Sequence, residues 1–159
     1  MSSLPSLGRR GEGWVLIQGV ILVAIFVAGL TESSFSGDGP MVVTVLGVVL
    51  MVLGGILAVL GVRSLGRGLT ALPHPRDGSE LVSTGVYRLV RHPIYGGLVI
   101  GALGYGLAMH AMVTAVVGSI VLLAFFRLKS AREEVWLEQR YAGYPAYRAA
   151  TRRILPFIY

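Results

Sequence analysis

Four apolar runs separated by polar segments organise this chain, and their lengths are those of membrane helices rather than strands. The first covers residues 14–30 (WVLIQGVILVAIFVAGL), close to the ~20 residues that cross a hydrocarbon core. No small-residue cleavage pattern follows it, so it reads as a span and not as a removable leader. Residues 41–62 form the second run, long enough to cross with tilt. Its glycines at 47, 54 and 61 recur every seven residues and share one stripe, against which a neighbouring helix can approach closely. Residues 94–109 and 111–126 are shorter, with His110 between them. They predict a tight helical hairpin, with a re-entrant pair as the alternative.

Two polar stretches remain. Residues 63–93 contain Pro73, Pro75 and Pro93 and predict an ordered, mostly non-helical loop. In residues 127–159, Leu128, Ala131, Val135 and Ala142 recur near helical spacing with charges between them. That predicts a helix leaving the membrane and running to Tyr141, broken at Gly143 and Pro145. A last short helix over residues 146–153 would end at Pro156. The expected fold is an all-α integral membrane protein of one domain over residues 1–159. It has four transmembrane helices, the third and fourth a hairpin, and a cytoplasmic helical tail.

Composition agrees. Charged residues make up 14% of the chain and hydrophobic residues 54%, whereas a soluble domain carries about 25% charged residues. The absence of cysteine excludes disulfides, thiolate metal sites and a catalytic thiol. The net charge of +6 does not point to nucleic acid, because the basic residues flank apolar spans instead of forming a stripe. All 14 arginines and lysines fall in residues 1–13, 63–93 and 127–159, and none in residues 31–40 or at His110. The positive-inside rule then places both termini and both long polar stretches in the cytoplasm, with an even number of crossings.

Candidate chemistry concentrates in those two stretches. The loop closes with Gly85, Tyr87, Arg88, Arg91, His92, Pro93, Tyr95, Gly96 and Gly97 and runs straight into the third span. Singly, arginine and tyrosine at such a boundary are headgroup anchors. Together they do more: Pro93 suits a first helical turn, whose unpaired N–H groups face a polar ligand. Gly96 and Gly97 leave that turn bare enough for a ligand to lie against the backbone. Gly97, Gly101 and Gly104 continue at helical spacing and predict packing against the glycine stripe of the second span.

The second constellation is Arg132, Glu133, Glu134, Trp136 and Glu138, which on spacing alone is a solvated helix face. Adjacent carboxylates on a helix point about 100° apart, so one of Glu133 and Glu134 faces inward. Tyr141, Tyr144, Tyr147, Arg148, Arg152 and Arg153 form a third, of the kind that touches headgroups. His74 and His110 are isolated, and no metal site is expected.

Arg91-His92-Pro93-Ile94-Tyr95-Gly96-Gly97 matches R-H-P-x-Y-x-G; Gly85-x-Tyr87-Arg88 precedes it, and Glu133-Glu134 and a Tyr/Arg/Pro tail follow the hairpin. In this the chain resembles the integral-membrane methyltransferases of the isoprenylcysteine carboxyl methyltransferase and phospholipid N-methyltransferase superfamily, over about residues 81–159. The resemblance implies S-adenosylmethionine as cofactor, with Tyr87, Arg88, His92, Pro93, Tyr95, Gly96 and Gly97 around its pocket. Glu133 and Glu134 would meet its ammonium or ribose hydroxyls. Arg91 or Arg148 would orient a carboxylate acceptor, and a glutamate would accept the proton of an amine acceptor. The implied partners are the lipid bilayer and a hydrophobic or lipid-like acceptor. Two alternatives stay open: a nicotinamide-dependent reductase similar to the sterol reductases, and a non-catalytic membrane protein retaining the pocket.

Overall fold

The computed structural model describes residues 7–70, 72 and 80–155. The proline loop's Pro73, His74, Pro75 and Arg76, and Pro156 of the tail, lie outside the described residues. Among the described residues five α-helices follow one another: α1 (Glu12–Ser36), α2 (Met41–Leu65), α3 (Pro93–Ala108), α4 (Ser119–Arg140) and α5 (Tyr144–Ala150). One π-helical turn, Thr114–Gly118, runs directly into α4. Among the described residues there is no strand, only an isolated parallel bridge between Val90 and Arg152.

α1, α2 and the continuous helix from Thr114 to Arg140 are long and apolar enough to cross a membrane. α3 has 16 residues and is shorter. α1 and α2 expose large aliphatic side chains that water would not tolerate in such density, among them Leu16 at 71% and Val42 at 72%. Three such helices make the chain a multi-pass membrane protein.

The glycine stripe of α2 does what its spacing predicts. Gly47, Gly54 and Gly61 are buried against α3. A Cβ on Gly54 would stand 2.5 Å from the Gly97 carbonyl oxygen, and a Cβ on Gly97 equally close to that of Gly54. Gly47 and Gly104 are paired in the same reciprocal way. Backbone therefore touches backbone along the α2–α3 seam, where side chains would force the helices apart.

At the opposite end of the bundle from the polar loop, His110 (φ 54°) turns the chain between α3 and the π turn. There Glu32, at the end of α1, accepts hydrogen bonds from Val113 N–H (2.9 Å), Thr114 N–H (2.8 Å) and the Thr114 hydroxyl (2.8 Å). It thus satisfies donors that a helix start leaves free. The core, built from Trp14, Ile25, Leu122, Phe125 and Phe126 with Val99, Ala102 and Ile154, joins α1, α3, α4 and the tail.

The tail departs from expectation in two places. Pro145 does not break a helix but sits in the first turn of α5, where its missing N–H costs nothing. α5 then stops at Ala150 instead of running to residue 153, because residues 151–153 extend to pair with residues 89–92. Arg91 N–H donates to Arg152 O (2.8 Å), His92 N–H to Arg153 O (2.9 Å), and Arg152 N–H to Leu89 O (3.0 Å).

Candidate active site

That backbone clasp brings the segment entering α3 against the charged end of α4. Four cationic or imidazole groups converge on Glu134, whose side chain is only 3% exposed. Arg91 Nε lies 3.0 Å from Oε1, His92 Nε2 3.3 Å from Oε1, Arg153 Nη2 2.8 Å from Oε2 and Arg148 Nε 3.8 Å from Oε2. Burial alone would raise the Glu134 carboxyl, but His92, Arg153 and Arg91 outweigh it and hold the pKa at about 2. Arg91 Nη1 also donates to the carbonyls of Arg148 (2.9 Å) and Thr151, and to the Thr151 hydroxyl (3.2 Å). Glu134 and Arg91 are thus the knot that fixes α4, the α3 entrance and the tail to one another.

Glu133 points elsewhere, as the angle between neighbouring helical residues requires. It accepts the Tyr95 hydroxyl at 2.9 Å and faces His92 Nδ1 at 3.6 Å. Tyr95 is clamped by parallel rings on both sides, with centroids 5.3 Å away at His92 and 4.4 Å away at Phe126. One histidine therefore spans the two carboxylates and, with Phe126, sets the plane of the tyrosine that orients Glu133.

Glu133 lines a cavity of about 320 Å³ at this end of the bundle. Its walls come from the end of α2 (Val62, Leu65), the loop (Leu69, Thr70, Glu80), Tyr87, and the α3 entrance (Arg91, His92, Ile94, Tyr95). α1 adds Gln18, α4 adds Lys129, Leu137 and the adjoining Tyr141, and α5 adds Tyr144 and Tyr147. Tyr147 Oη donates to the Tyr87 carbonyl (2.9 Å), which ties α5 to the loop. Gly85 begins the loop's last turn with φ 59°, in the left-handed region that favours glycine. Burial, with the charges of Glu133 and Tyr147 adding to it, pushes the Tyr87 phenol up. Burial raises Tyr147 to about 12, so both hydroxyls stay protonated. A half-buried carboxylate, phenol rings and hydroxyl donors in one cleft suit a ligand that is partly aromatic and carries positive charge.

Of the residues the sequence singles out, Tyr87, Arg91, His92, Tyr95, Glu133, Tyr141, Tyr144 and Tyr147 meet on the cavity wall. The others stand apart from it. Pro93 is buried in the first turn of α3 beside Gly61, Gly96 packs against the Ile154 carbonyl, and Gly97 packs against Gly54. These glycines admit neighbouring backbone, which fills the space open to a ligand in the sequence expectation. Arg88 is exposed, and Arg148 is half-exposed and paired with Glu138. Arg132 lies over the Trp136 ring at 4.5 Å, the interfacial neighbour pair that its spacing predicts. Among the described residues no group of potential metal ligands gathers. Sequence reasoning missed Lys129, Gln18 and Arg153 as part of this assembly. Gln18 did carry a signal: it is the single amide in an apolar run.

A polytopic helical membrane protein with a polar, aromatic-walled cavity at one end of its bundle is the class this architecture defines. The profile of the phospholipid methyltransferase family matches residues 42–143, and the chain belongs to that family. It is 34% identical over 119 residues to a probable protein-S-isoprenylcysteine O-methyltransferase of Oryza sativa subsp. indica, covering 73% of this chain and 62% of that protein. Protein-S-isoprenylcysteine O-methyltransferase B of Arabidopsis thaliana is 30% identical over 115 residues (70% and 58%). The Saccharomyces cerevisiae protein-S-isoprenylcysteine O-methyltransferase is 31% identical over 118 residues (72% and 49%). The match thus covers less than two thirds of each relative's length.

Proposed function

We propose that this chain transfers the methyl group of S-adenosylmethionine to a hydrophobic or lipid-like acceptor at the cytoplasmic face of a membrane. The observation that carries the reading is Glu133, which in this chain lines an aromatic-walled cavity, accepts the Tyr95 hydroxyl and faces His92. The cofactor has an ammonium, a carboxylate, a ribose, an adenine and a sulfonium, so its site needs an anion, donors and flat apolar walls. Glu133 would take the ammonium or ribose hydroxyls, and Tyr87, Tyr144 and Tyr147 would flank the flat and cationic parts. The Tyr144 hydroxyl is buried on this wall with no hydrogen-bond partner among the described residues, as a group completed by a ligand would be.

When bound, the cofactor supplies an electrophilic methyl carbon on sulfur, and S-adenosylhomocysteine is what leaves. The protein's work is alignment and exclusion of water more than proton transfer. Arg91 and Glu134 hold the walls in register, Arg148 stands behind them, and Glu133 accepts a proton only where the acceptor is an amine. The relatives' names specify isoprenylcysteine and the family's name a phospholipid, and both support an acceptor with a long apolar tail. The arginine and lysine distribution supports four crossings with both termini cytoplasmic, α3 being the short fourth at about 24 Å.

Calorimetric titration of detergent-purified protein tests this. Binding of S-adenosylmethionine and not NADPH is expected; binding of NADPH alone would overturn the reading in favour of a reductase. Release of S-adenosylhomocysteine on adding S-prenylated N-acetylcysteine or phosphatidylethanolamine then separates an enzyme from a protein that only holds the cofactor.

A further inference from the structure

α5 turns only two side chains away from water. Of its seven residues, Tyr144 and Tyr147 alone are not exposed, and both line the cavity. A helix of that length does not hold itself together in water, so its place depends on what it touches. Both of its ends are anchored. Before it, α4 runs to Arg140, and Tyr141 N–H still donates to Leu137 O at 2.9 Å. After it, Arg152 and Arg153 pair with the α3 entrance, Ile154 is buried in the core, and Arg91 holds the carbonyls of Arg148 and Thr151. Between the anchors, Tyr147 Oη reaches the Tyr87 carbonyl (2.9 Å) and the Arg148 side chain reaches Glu138 of α4. At the joint before α5, Gly143 is exposed, and no described atom stands within 4 Å of where its Cβ would be.

We propose that α5 is a lid: it swings out between the Gly143 joint and Thr151 to let the cofactor pass from water, and it closes over the loaded cavity with Tyr147 on the Tyr87 carbonyl as its latch. This rests on the methyl-transfer reading for the identity of what passes. The closed position carries a cost that a ligand removes. The Tyr144 hydroxyl is buried there without a hydrogen-bond partner among the described residues, and an unmet buried donor is unfavourable. A ligand that meets this hydroxyl favours the closed position over the open one, so filling the cavity shifts the lid shut. The anchors at both ends let α5 leave the cavity without disturbing the pairing of residues 151–153 with residues 89–92.

The chain has no cysteine, so a thiol pair made by Glu138→Cys and Arg148→Cys, where α4 and α5 meet, can be bridged by a short bis-methanethiosulfonate and freed by reductant. The measurement, on the full chain in detergent, is release of tritiated S-adenosylmethionine into excess unlabelled cofactor, with the reduced form of the same protein as reference. Bridging should slow release by about tenfold or more, and reductant should restore it. Tyr147→Phe, which removes the latch and keeps the ring, should speed both uptake and release by about three- to fivefold, with affinity within about twofold. Release that bridging leaves within about twofold of the reduced form overturns the proposal, as does a Tyr147→Phe protein that loses affinity without faster exchange. Should the double variant fail to fold, Tyr147→Phe decides alone. Hydrogen–deuterium exchange of the ligand-free protein keeps the two readings apart. The amides of residues 146–150 should exchange at least about tenfold faster than those of α3, and equal protection overturns the lid. Fast exchange that the bridge suppresses, in a protein that ignores S-adenosylmethionine, would sink the methyl-transfer reading and leave the lid standing.

Discussion

Arg91 and Glu134 are 43 residues apart in sequence and form a buried ion pair, Nε to Oε1 at 3.0 Å, with side chains 8% and 3% exposed. Around it turn the entrance of α3, the charged end of α4 and the extended tail. Removing one partner strands the other charge in a poorly solvated place, which costs about 3–5 kcal/mol where such pairs have been broken. Glu134→Gln should therefore lower thermal stability substantially, and Arg91→Met should do the same. Thermal unfolding in detergent, followed by tryptophan fluorescence, checks both. A melting temperature within a degree or so of wild type would show that the knot holds nothing together.

The same carboxylate gives the protein an acid limit. Its pKa in the folded state, about 2, lies below its ordinary 4.5, so folding favours the ionised form. The stability it contributes is complete above pH 4.5 and is lost as pH falls from 4.5 toward 2. Melting temperatures should fall steeply through that window in wild type and less steeply in Glu134→Gln. Parallel acid limbs in the two proteins would contradict the assignment.

Glu133 should respond differently from its neighbour. Its Oε2 is held by Tyr95 at 2.9 Å on the cavity wall, outside the arginine knot. Glu133→Gln is expected to keep the melting temperature near wild type and to weaken S-adenosylmethionine binding by about tenfold or more, the loss typical of a truncated charge-assisted contact. Tyr95→Phe should give a smaller loss in the same direction. Calorimetry on both variants decides it, and unchanged affinity in Glu133→Gln would return that residue to the solvated face its spacing alone suggests.

Helical periodicity exposed the bundle in the sequence because its signals are local: apolar run lengths, the seven-residue glycine stripe and the charge asymmetry. The junction of Arg91, His92 and the glutamates was legible only through motif resemblance, since residues about 40 apart carry no shared period. What stayed hidden depended on tertiary pairing. Residues 151–153 look helical by composition, yet they extend because residues 89–92 offer them backbone partners. Gly96 and Gly97 look like an open ligand cradle until Ile154 and Gly54 are seen to fill it. Which glutamate faces inward follows from where the arginines gather, and Arg153 joins that cluster only through the tail's path.

The seam between α2 and α3 sets the angle at which the α3 entrance meets the cavity, and its tolerance is small. A Cβ on Gly54 would lie 2.5 Å from the Gly97 oxygen and 2.8 Å from the Gly101 nitrogen. These neighbours are backbone and cannot rotate away, so even alanine must push the helices apart. Overpacking of this kind costs about 1–3 kcal/mol. It would also carry His92 and Tyr95, which ride on the first turn of α3, away from Glu133. Gly54→Ala and Gly97→Ala should each lower the melting temperature and weaken S-adenosylmethionine binding, although neither residue lines the cavity. Gly55→Ala, where an added Cβ meets nothing within 4 Å, should do neither. If Gly55→Ala were as damaging as Gly54→Ala, helix propensity or insertion would be at fault, and the close backbone contact would not be what positions the site.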